Sequence, residues 1–264
     1  MYFYPKLGSN GRLGNQMFQY AALYAISKFH NSKAGIPDIE CELYNAFPNI
    51  SAEKVSDSSF DSAKHDFVPN EGLDFSFTPT LFTCRDDTRL SGYFQSELYF
   101  NMFSDDIKKE FQFSNEVIKD CSEEFARIKR QTGGSPICAV HFRRGDYTKL
   151  VEYHTNLDAS YYNSAFSWML SNIQGCRFLA ISDDYEWCRS NLPNDFLLPN
   201  SKSMFHDMCL MSMCDVHIIA NSSFSWWAAW LSEKTKQVIA PSQWFGPKGP
   251  KKWDTIYSNG WGII

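Results

Sequence analysis

The segment PICAVHFRRGDY, residues 136–147, is an apolar run that ends in charged side chains, and a regular pattern follows it up to residue 241. Its first seven residues predict a buried strand, and segments with helical period then alternate with short apolar segments. Such alternation is typical of a parallel sheet covered by helices, so we predict a Rossmann-type α/β domain. The later predicted strands are RFLAIS at 177–182, FLL at 196–198, DVHIIA at 215–220 and QVIAP at 237–241, and the predicted helices are SYYNSAFSWML at 160–170, DYEWCRSNL at 184–192, MFHDMCLMSM at 204–213 and FSWWAAWLSE at 224–233.

The first half of the chain has a weaker pattern. The apolar opening YFYPKL at 2–7 precedes the glycine-rich loop GSNGRLG at 8–14, and apolar residues at helical spacing follow from Phe18 to Phe29. This order predicts strand, loop and helix. Residues 31–90 are rich in Ser, Asp and Pro, and they predict only irregular strands and loops.

A linker is predicted near the middle of the chain. An amphipathic helix is predicted to end near Arg130, and the Gly- and Ser-containing segment QTGGSP at 131–136 follows it. Such segments are typical of domain boundaries, so we predict an N-terminal domain of residues 1–132 and a C-terminal domain of residues 133–264.

Composition limits the function classes. The chain has 264 residues, a formal net charge of −5 and an aromatic content of 16%. No global positive field is available to hold a nucleic acid or an anionic membrane, so an anionic ligand must meet a local positive cluster. We expect most aromatic rings to form core and a minority to line a binding site.

The cysteines and the N-terminus bear on the cellular compartment. The eight cysteines show neither a CxxC pair nor a Cys/His spacing typical of zinc, and they lie mostly in apolar runs. We therefore expect reduced, buried thiols and no structural metal. Without a signal-peptide pattern or a long apolar stretch, the chain is expected to be soluble, cytoplasmic and free of transmembrane segments.

The motif HFRRGDY at 141–147 lies at the carboxyl end of a predicted strand, where open α/β sheets bind ligands. Strand alternation predicts that His141 and Arg143 share one face, with Arg143 suited to a diphosphate. Arg144 is predicted to pair with a carboxylate such as Asp146 or to brace the loop. The alternative is an ordinary surface turn of arginine and aspartate.

A second motif, NSSFSWWAAWL at 221–231, predicts a turn at Asn221 to Ser223 and then a helix. Free N–H groups at a helix start can bind an anion, and Ser222 or Ser223 can add a hydroxyl. The alternative is a plain serine cap. Trp226, Trp227 and Trp230 are predicted to be core.

Two further motifs leave alternatives open. Asp183 and Asp184 follow a predicted strand, where a carboxylate can hold a guanine edge. The alternative is that Ser182 or Asp183 caps the next helix. Asp183 and Asp184 lack the DxD spacing of many metal-dependent glycosyltransferases. The glycine loop lacks the dinucleotide fingerprint GxGxxG, but its glycines allow close backbone approach to a ligand, with Arg12, Asn15 and Gln16 beside a helix start.

Five motifs occur in one order along the chain: GRLGNQMFQYA at 11–21, GYFQSELYF at 92–100, HFRRGDY, ISDDYEW at 181–187 and NSSFSWWAAWL. Together they resemble glycosyltransferase family 11, the α-1,2-fucosyltransferases. The resemblance implies a GT-B fold, an α/β architecture of two Rossmann-like domains facing a cleft. It also implies GDP-β-L-fucose as donor, a galactose-containing glycan as acceptor, inversion to an α-fucoside, and no required metal or other cofactor.

The resemblance also implies roles for single residues. His141 and Arg143 are expected to hold GDP, and Asp183 or Asp184 is expected to bind the guanine. Ser222, Ser223 and Phe224 are expected at the phosphates and ribose. The loop that carries Arg12 and Asn15 is expected to close over donor and acceptor. Gln95 and Tyr153 are expected at the acceptor. His154, which precedes the segment LDASYY, is expected to contact acceptor or donor.

The expected reaction is a direct displacement in which Arg143 stabilises the leaving diphosphate. The general base is left open among Asp146, Glu152 and His154, with Glu97 more remote. Other readings are a transferase for another GDP-sugar, a protein O-fucosyltransferase, or a non-catalytic glycan-binding module. Animal members of the family carry an N-terminal membrane anchor, so a Golgi-type enzyme whose anchor is missing from this chain is the alternative localisation.

Overall fold

The computed structural model divides the chain into two units and describes residues 1–70, 74–234 and 237–264. Unit 1 comprises Met1–Ser114 and Pro250–Ser258, and unit 2 comprises Asn115–Gly249 and Asn259–Ile264. Among the described residues, each unit contains a five-stranded sheet whose paired strands are all parallel. The predicted α/β class with two parallel-sheet units is therefore confirmed.

Unit 1 has the strand order β3-β2-β1-β5-β4. Its elements are β1 (Tyr2–Phe3), α1 (Leu13–Phe29), β2 (Ala34–Pro37), α2 (Glu42–Ala46), β3 (Glu53–Val55), α3 (Asp57–Asp61), β4 (His65–Phe67), β5 (Thr88–Leu90) and α4 (Ser104–Glu110). The predicted helix after the glycine loop is α1, and its side chains from Leu13 to Ser27 are almost all buried. Residues 31–90, which were predicted to be irregular, supply four of the five strands. These strands are three or four residues long, too short to show an alternating pattern.

Unit 2 has the strand order β10-β9-β8-β6-β7. Its elements are α5 (Asn115–Gln131), β6 (Ile137–Phe142), α6 (Ala159–Asn172), β7 (Arg177–Ser182), α7 (Tyr185–Asn191), α8 (Met204–Ser212), β8 (Val216–Ile218), α9 (Ser223–Leu231), β9 (Val238–Ala240) and β10 (Gly262–Ile263). The predicted alternation is present, with two changes. Segment 196–198 makes one parallel bridge, Leu179 to Leu197, instead of a strand. The C-terminal residues Gly262–Ile263, which lie beyond the last predicted strand, add β10 to the sheet.

The units differ from the predicted domains 1–132 and 133–264. Helix α5 belongs to unit 2, because its buried residues Cys121 and Ile128 lie on a face that packs against α8. The predicted linker 131–136 is the end of that helix: Gly133 and Gly134 have φ values of +60° and +82°, which favour glycine and stop α5. Glycine therefore marks a helix end here.

A second difference is the segment Pro250–Ser258, which belongs to unit 1. Its backbone and side chains bond to the chain after residue 73: the Phe75 N–H donates to Lys252 O at 2.8 Å, and the Phe77 N–H donates to Thr255 Oγ1 at 2.7 Å. The sequence does not predict this contact, because the bonded residues are almost 180 positions apart.

The core accounts for the aromatic content and the cysteines. Trp226 and Trp227 are fully buried in α9, as predicted, while Trp230 is half-buried beside them. All eight cysteines are free, and all but Cys84 are buried, as expected. Within the described ranges, no helix combines the length and apolar character needed to cross a membrane.

Candidate active site

The strand order of unit 2 creates a junction between β6 and β8. From β6 the chain crosses to β7 on one side, and from β7 it crosses back past β6 to β8 on the other side. In open α/β sheets, ligands bind outside the carboxyl ends of the strands at such a junction. Two of the predicted motifs leave the sheet there, residues 143–147 after β6 and 219–224 after β8.

Arg143 is the first residue after β6, and two carboxylates hold its guanidinium. Nη1 lies 2.7 Å from Asp183 Oδ2, and Nη2 contacts Asp146. The guanidinium carbon also lies 5.0 Å from the ring centre of Tyr147. The side chain is 13% exposed, and its buried Nε finds no hydrogen-bond partner among the described residues. A fixed planar guanidinium of this kind can bind two oxygens of a diphosphate.

Arg144 has a different environment, which makes one prediction more specific. Its guanidinium carbon lies 4.1 Å from the ring centre of Trp187, and Nε lies 3.4 Å from Asp184 Oδ2. Arg144 therefore pairs with a carboxylate, as predicted, but that carboxylate is Asp184, whereas Asp146, the example offered by the sequence, pairs with Arg143. Successive side chains leave an extended chain on opposite sides, so Arg144 points towards α7, and the turn returns Asp146 to Arg143 three residues earlier.

His141 is buried at the end of β6, 3% exposed, and its ring centre lies 5.4 Å from that of Phe224. Burial, reinforced by the charge of Arg143, lowers the pKa of His141 to about 3. The imidazole is therefore neutral at pH 7, and its buried Nδ1 lacks a hydrogen-bond partner in the described part of the chain. A neutral ring of this kind can give or accept one hydrogen bond but cannot supply charge to a phosphate.

Asp183 and Asp184 perform different tasks at the end of β7. Asp183 Oδ1 accepts a hydrogen bond from the Arg144 N–H at 2.9 Å, and the carboxylate lies so close to Gly145 that a Cβ there would be 2.4 Å from Oδ2. Asp184 is the N-cap of α7 and accepts the Trp187 N–H at 3.0 Å. The helix cap is therefore Asp184, and not Ser182 or Asp183 as the capping alternative held. Asp183 instead fixes the loop and its arginine.

The start of α9 keeps its donors available. Ser222 is the N-cap residue, but its hydroxyl does not bond to the first turn of this helix, and the first N–H groups of any α-helix lack intrahelical partners. Asn221 holds the turn in place: its amide donates to Thr155 O and to Trp244 O, both at 2.8 Å. Ser223 and Phe224, both half-buried, begin the helix. This arrangement supports the anion-binding alternative over the plain serine cap.

The segment 152–154 contains three predicted residues in unlike surroundings. Glu152 is exposed and paired with Lys248 at 2.7 Å. Tyr153 is exposed, and its ring meets that of His154 edge-on at 5.0 Å. The His154 ring stacks on Tyr147 at 4.0 Å between centres, and burial lowers its pKa. His154 thus packs against Tyr147, whose ring also contacts the Arg143 guanidinium.

Unit 1 carries the remaining predicted residues. Arg12 precedes α1, is 65% exposed and has Nε 3.3 Å from Glu42 Oε1. Asn15 lies in the first turn of α1, and its Oδ1 accepts a hydrogen bond from Gln95 Nε2 at 2.7 Å. Glu97, the remote candidate base, accepts a hydrogen bond from Ser258.

The structure thus separates the predicted residues by unit. Unit 2 brings His141, Arg143, Asp146, Asp183 and Phe224 together around one junction, whereas Arg12, Asn15 and Gln95 lie in unit 1. In the described ranges, no group of three or more His, Cys, Asp and Glu side chains is arranged to hold a metal ion.

Three partners of the predicted residues were not identified from the sequence. They are Gly145, whose missing side chain admits Asp183, Glu42, which pairs with Arg12, and Lys248, which pairs with Glu152. A glycine permits close approach of another group, but the sequence gives no sign that Asp183 is that group at Gly145. The two ion pairs join residues 30 and 96 positions apart, for which the sequence holds no signal.

Comparison with known proteins gives a consistent assignment. The family model described as "Glycosyl transferase family 11" matches residues 6–264. The chain is 30% identical to an "Alpha-1,2-colitosyltransferase" of Escherichia coli, over 93% of this chain and 96% of that protein. It is 27% identical to the "Galactoside 2-alpha-L-fucosyltransferase SEC1" of Bos taurus, over 89% of this chain and 66% of that protein.

A solved structure supports the fold. POFUT1 in complex with GDP-fucose matches with a TM-score of 0.54 and 12% identity, over 90% of this chain and 97% of that chain. At this identity the similarity concerns the fold, which is GT-B.

Proposed function

The chain belongs to glycosyltransferase family 11, and from this membership we propose that it transfers L-fucose from GDP-β-L-fucose to O2 of a β-galactoside in a glycan. The product is an α-1,2-fucoside, formed with inversion at C1 of the sugar. The name of the bovine relative, a galactoside 2-α-L-fucosyltransferase, and the GDP-fucose complex of the structural neighbour support this choice of donor and acceptor.

One observation carries the proposal: Arg143 is fixed at the carboxyl edge of β6, beside the junction with β8, with most of its side chain buried. Both terminal nitrogens of Arg143 pair with carboxylates, so a diphosphate that binds to them replaces one of the two. Asp146 is the partner that leaves, because it is 53% exposed and its carboxylate contacts only a side chain. Asp183 stays, since the Arg144 N–H holds it as well.

The reaction is a direct displacement in which the acceptor hydroxyl attacks C1 and GDP leaves from the opposite face. Negative charge develops on the diphosphate oxygen that leaves. Arg143 and the N–H groups at the start of α9 stabilise that charge, and fixed donors of this kind are worth about 10²- to 10³-fold each in rate. These groups do the work that a metal ion does in other transferases, so we expect no metal requirement. His141 and Phe224 flank the nucleotide beside them.

His154 is the strongest of the candidate bases. Glu152 is tied to Lys248 at the surface, and Asp146 is tied to Arg143 until the donor binds. The lowered pKa of His154 leaves its imidazole neutral and able to accept a proton at pH 7, and its buried Nδ1 has no hydrogen-bond partner in the described residues.

A second candidate has specific support. The 30% identical relative is named a colitosyltransferase, so transfer of colitose is the alternative for the donor sugar. Colitose lacks one hydroxyl that fucose has. The two candidates therefore share the diphosphate site and differ only in the contacts to the sugar.

The test is a donor and acceptor screen with the purified chain. GDP release is measured with GDP-fucose or the colitose donor, in the presence of lactose and with or without EDTA, and the product linkage is determined by NMR. We expect an α-1,2 linkage, unchanged turnover in EDTA and a thermal shift with GDP but not with UDP. No thermal shift with GDP would contradict the nucleotide site itself, and a different linkage would contradict the acceptor assignment alone.

A further inference from the structure

Two side-chain amides meet at the carboxyl edge of the sheet in unit 1. Asn15 follows β1, and Gln95 follows β5, which pairs with β1 in parallel. Gln95 Nε2 donates a hydrogen bond to Asn15 Oδ1 at 2.7 Å, across 80 positions of sequence. The sheet has two halves, β1 to β3 and β4 to β5, and they join where β1 pairs with β5. In α/β sheets, ligands bind outside the carboxyl ends of the strands at such a junction.

Gln95 has an acceptor atom without a partner. The side chain is 7% exposed, and its buried Oε1 accepts no hydrogen bond from the described residues. A buried, unpaired amide oxygen destabilises a fold, and an apolar side chain of the same length would avoid that cost. A hydrogen-bond donor on a bound ligand would therefore explain why Gln95 Oε1 has no partner here.

The backbone around Gln95 holds the amide rigidly. Phe94 has φ of +53° and Gly92 has φ of +146°, both in the region that favours glycine. The hydroxyl of Tyr4, the residue after β1, donates to Gly92 O, and the Ser96 N–H donates to Phe94 O at 2.8 Å. A non-glycine residue kept at positive φ is typical of functional loops.

Gln95 also fixes the orientation of Asn15. Because the carbonyl oxygen of Asn15 is taken by Gln95, the amide nitrogen of Asn15 is the group left to serve a ligand. This nitrogen lies against Gly11, where a Cβ would come within 2.4 Å of it. The pair thus combines one donor, Asn15 Nδ2, with one acceptor, Gln95 Oε1, and a hydroxyl group can bind to both. A phosphate cannot, because it has no proton for Oε1 at neutral pH.

We propose that Gln95 is a positioning residue that orients the Asn15 amide and, with it, binds one hydroxyl of a sugar substrate. The inference rests on the proposed function, since it takes the ligand to be a sugar. The hydroxyl belongs either to the acceptor or to the sugar of the donor, and the two sources give different kinetics.

The test compares Gln95→Met, Gln95→Glu and a control in the same unit, Ser27→Ala. Methionine keeps the length and removes both polar atoms, whereas glutamate keeps the oxygen, to which the Asn15 amide can turn and donate. Ser27 also has a buried unpartnered oxygen, but it lies three turns along α1 from Asn15. Kinetics with GDP-fucose and lactose are measured together with the melting temperature of each variant.

We expect Gln95→Met to lose about 10- to 100-fold in kcat/KM with a melting temperature close to that of wild type, because removal of an unpaired buried oxygen offsets the loss of the hydrogen bond to Asn15. Gln95→Glu does not recover that loss, because the turned Asn15 amide presents its oxygen to the ligand in place of Nδ2. Ser27→Ala keeps wild-type kinetics. A higher KM for lactose assigns the hydroxyl to the acceptor, and a higher KM for GDP-fucose assigns it to the donor. A merely structural glutamine predicts the reverse, a lower melting temperature with unchanged KM values.

Binding of lactose and of free fucose is also measured by saturation-transfer NMR without any nucleotide. This measurement does not depend on turnover. If wild-type protein transfers no sugar, the proposed function fails. Sugar binding by Asn15 and Gln95 is still tested, because it predicts loss of the sugar signal in Gln95→Met. Wild-type kinetics and wild-type sugar signals in Gln95→Met would overturn the inference.

Discussion

Replacement of Arg143 by lysine separates the role of this arginine from that of its neighbour. In the structure each terminal nitrogen of Arg143 serves a different carboxylate, Asp183 at Nη1 and Asp146 at Nη2. A lysine carries one compact charge and cannot hold two oxygens in this geometry. We therefore expect Arg143→Lys to lose donor binding and turnover even though the net charge is unchanged.

The magnitude follows from the contacts. A hydrogen bond to a charged group contributes about 1.5–3 kcal/mol, so loss of one of the two bonds weakens GDP binding by about 10- to 150-fold. Loss of one fixed donor at the leaving oxygen lowers kcat by about 10²- to 10³-fold. The stability loss is smaller, because Asp183 keeps its hydrogen bond from the Arg144 N–H.

The matched control is Arg144→Lys. Arg144 stacks on Trp187 and pairs with Asp184, so it braces α7. We expect this variant to lose about 1–2 kcal/mol of stability through the stacking contact, with kcat within about threefold of wild type. The assays are calorimetric titration with GDP, GDP release with GDP-fucose and lactose, and urea unfolding. The reasoning is refuted if the two variants lose turnover equally, or if Arg143→Lys keeps near wild-type turnover.

The remaining predictions concern the same loop and pH. Gly145→Ala should reduce kcat/KM by about tenfold or more and GDP affinity with it, measured by titration, because its Cβ would push Asp183 from its place; unchanged affinity would contradict this. Asp146→Asn should tighten GDP binding by up to about fivefold at low salt, because an exposed ion pair such as Arg143–Asp146 is worth at most about 1 kcal/mol. This effect should be lost at high salt. Tighter binding together with a collapse of kcat would instead identify Asp146 as the base. His154→Gln should remove the acidic limb of the pH–rate profile, which lies below pH 6.5 because burial lowers the pKa of His154, while Glu152→Gln retains that limb. The free energy of unfolding should fall between pH 6.5 and about 3 in urea titrations, because the unfolded chain protonates His141 and the folded chain does not; His141→Asn should flatten this slope.

Much of the C-terminal unit could be predicted from sequence because its elements are long and fully patterned. Strand β6 is six consecutive buried residues, and α9 carries its tryptophans on a buried face. Local periodicity reflects burial directly in such elements. The first unit resisted the same reasoning, since its strands of two to four residues are held by neighbours in space and leave no local period.

The site shows a similar division. Its membership around Arg143 was predictable, because carboxyl ends of parallel strands share an edge and the motifs follow strands. The exact partners were not predictable: Asp146, offered as an example of a carboxylate for Arg144, pairs with Arg143, and the carboxylate that pairs with Arg144 is Asp184, which also caps α7. Which carboxylate pairs with which arginine depends on the turn after β6 and on the directions of the side chains. In an extended chain, neighbouring side chains point to opposite sides.

By itself, the sequence determined the α/β class, the glycosyltransferase family and the residues from which the site is built, because motifs and burial patterns are local properties of the chain. Only the tertiary structure decided which unit contains α5 and the segment 250–258, that Asp146 and Asp183 both pair with Arg143, and that Gln95 donates a hydrogen bond to Asn15. Those facts rest on contacts between residues far apart in sequence, and such contacts exist only once the backbone has brought their side chains within hydrogen-bonding distance.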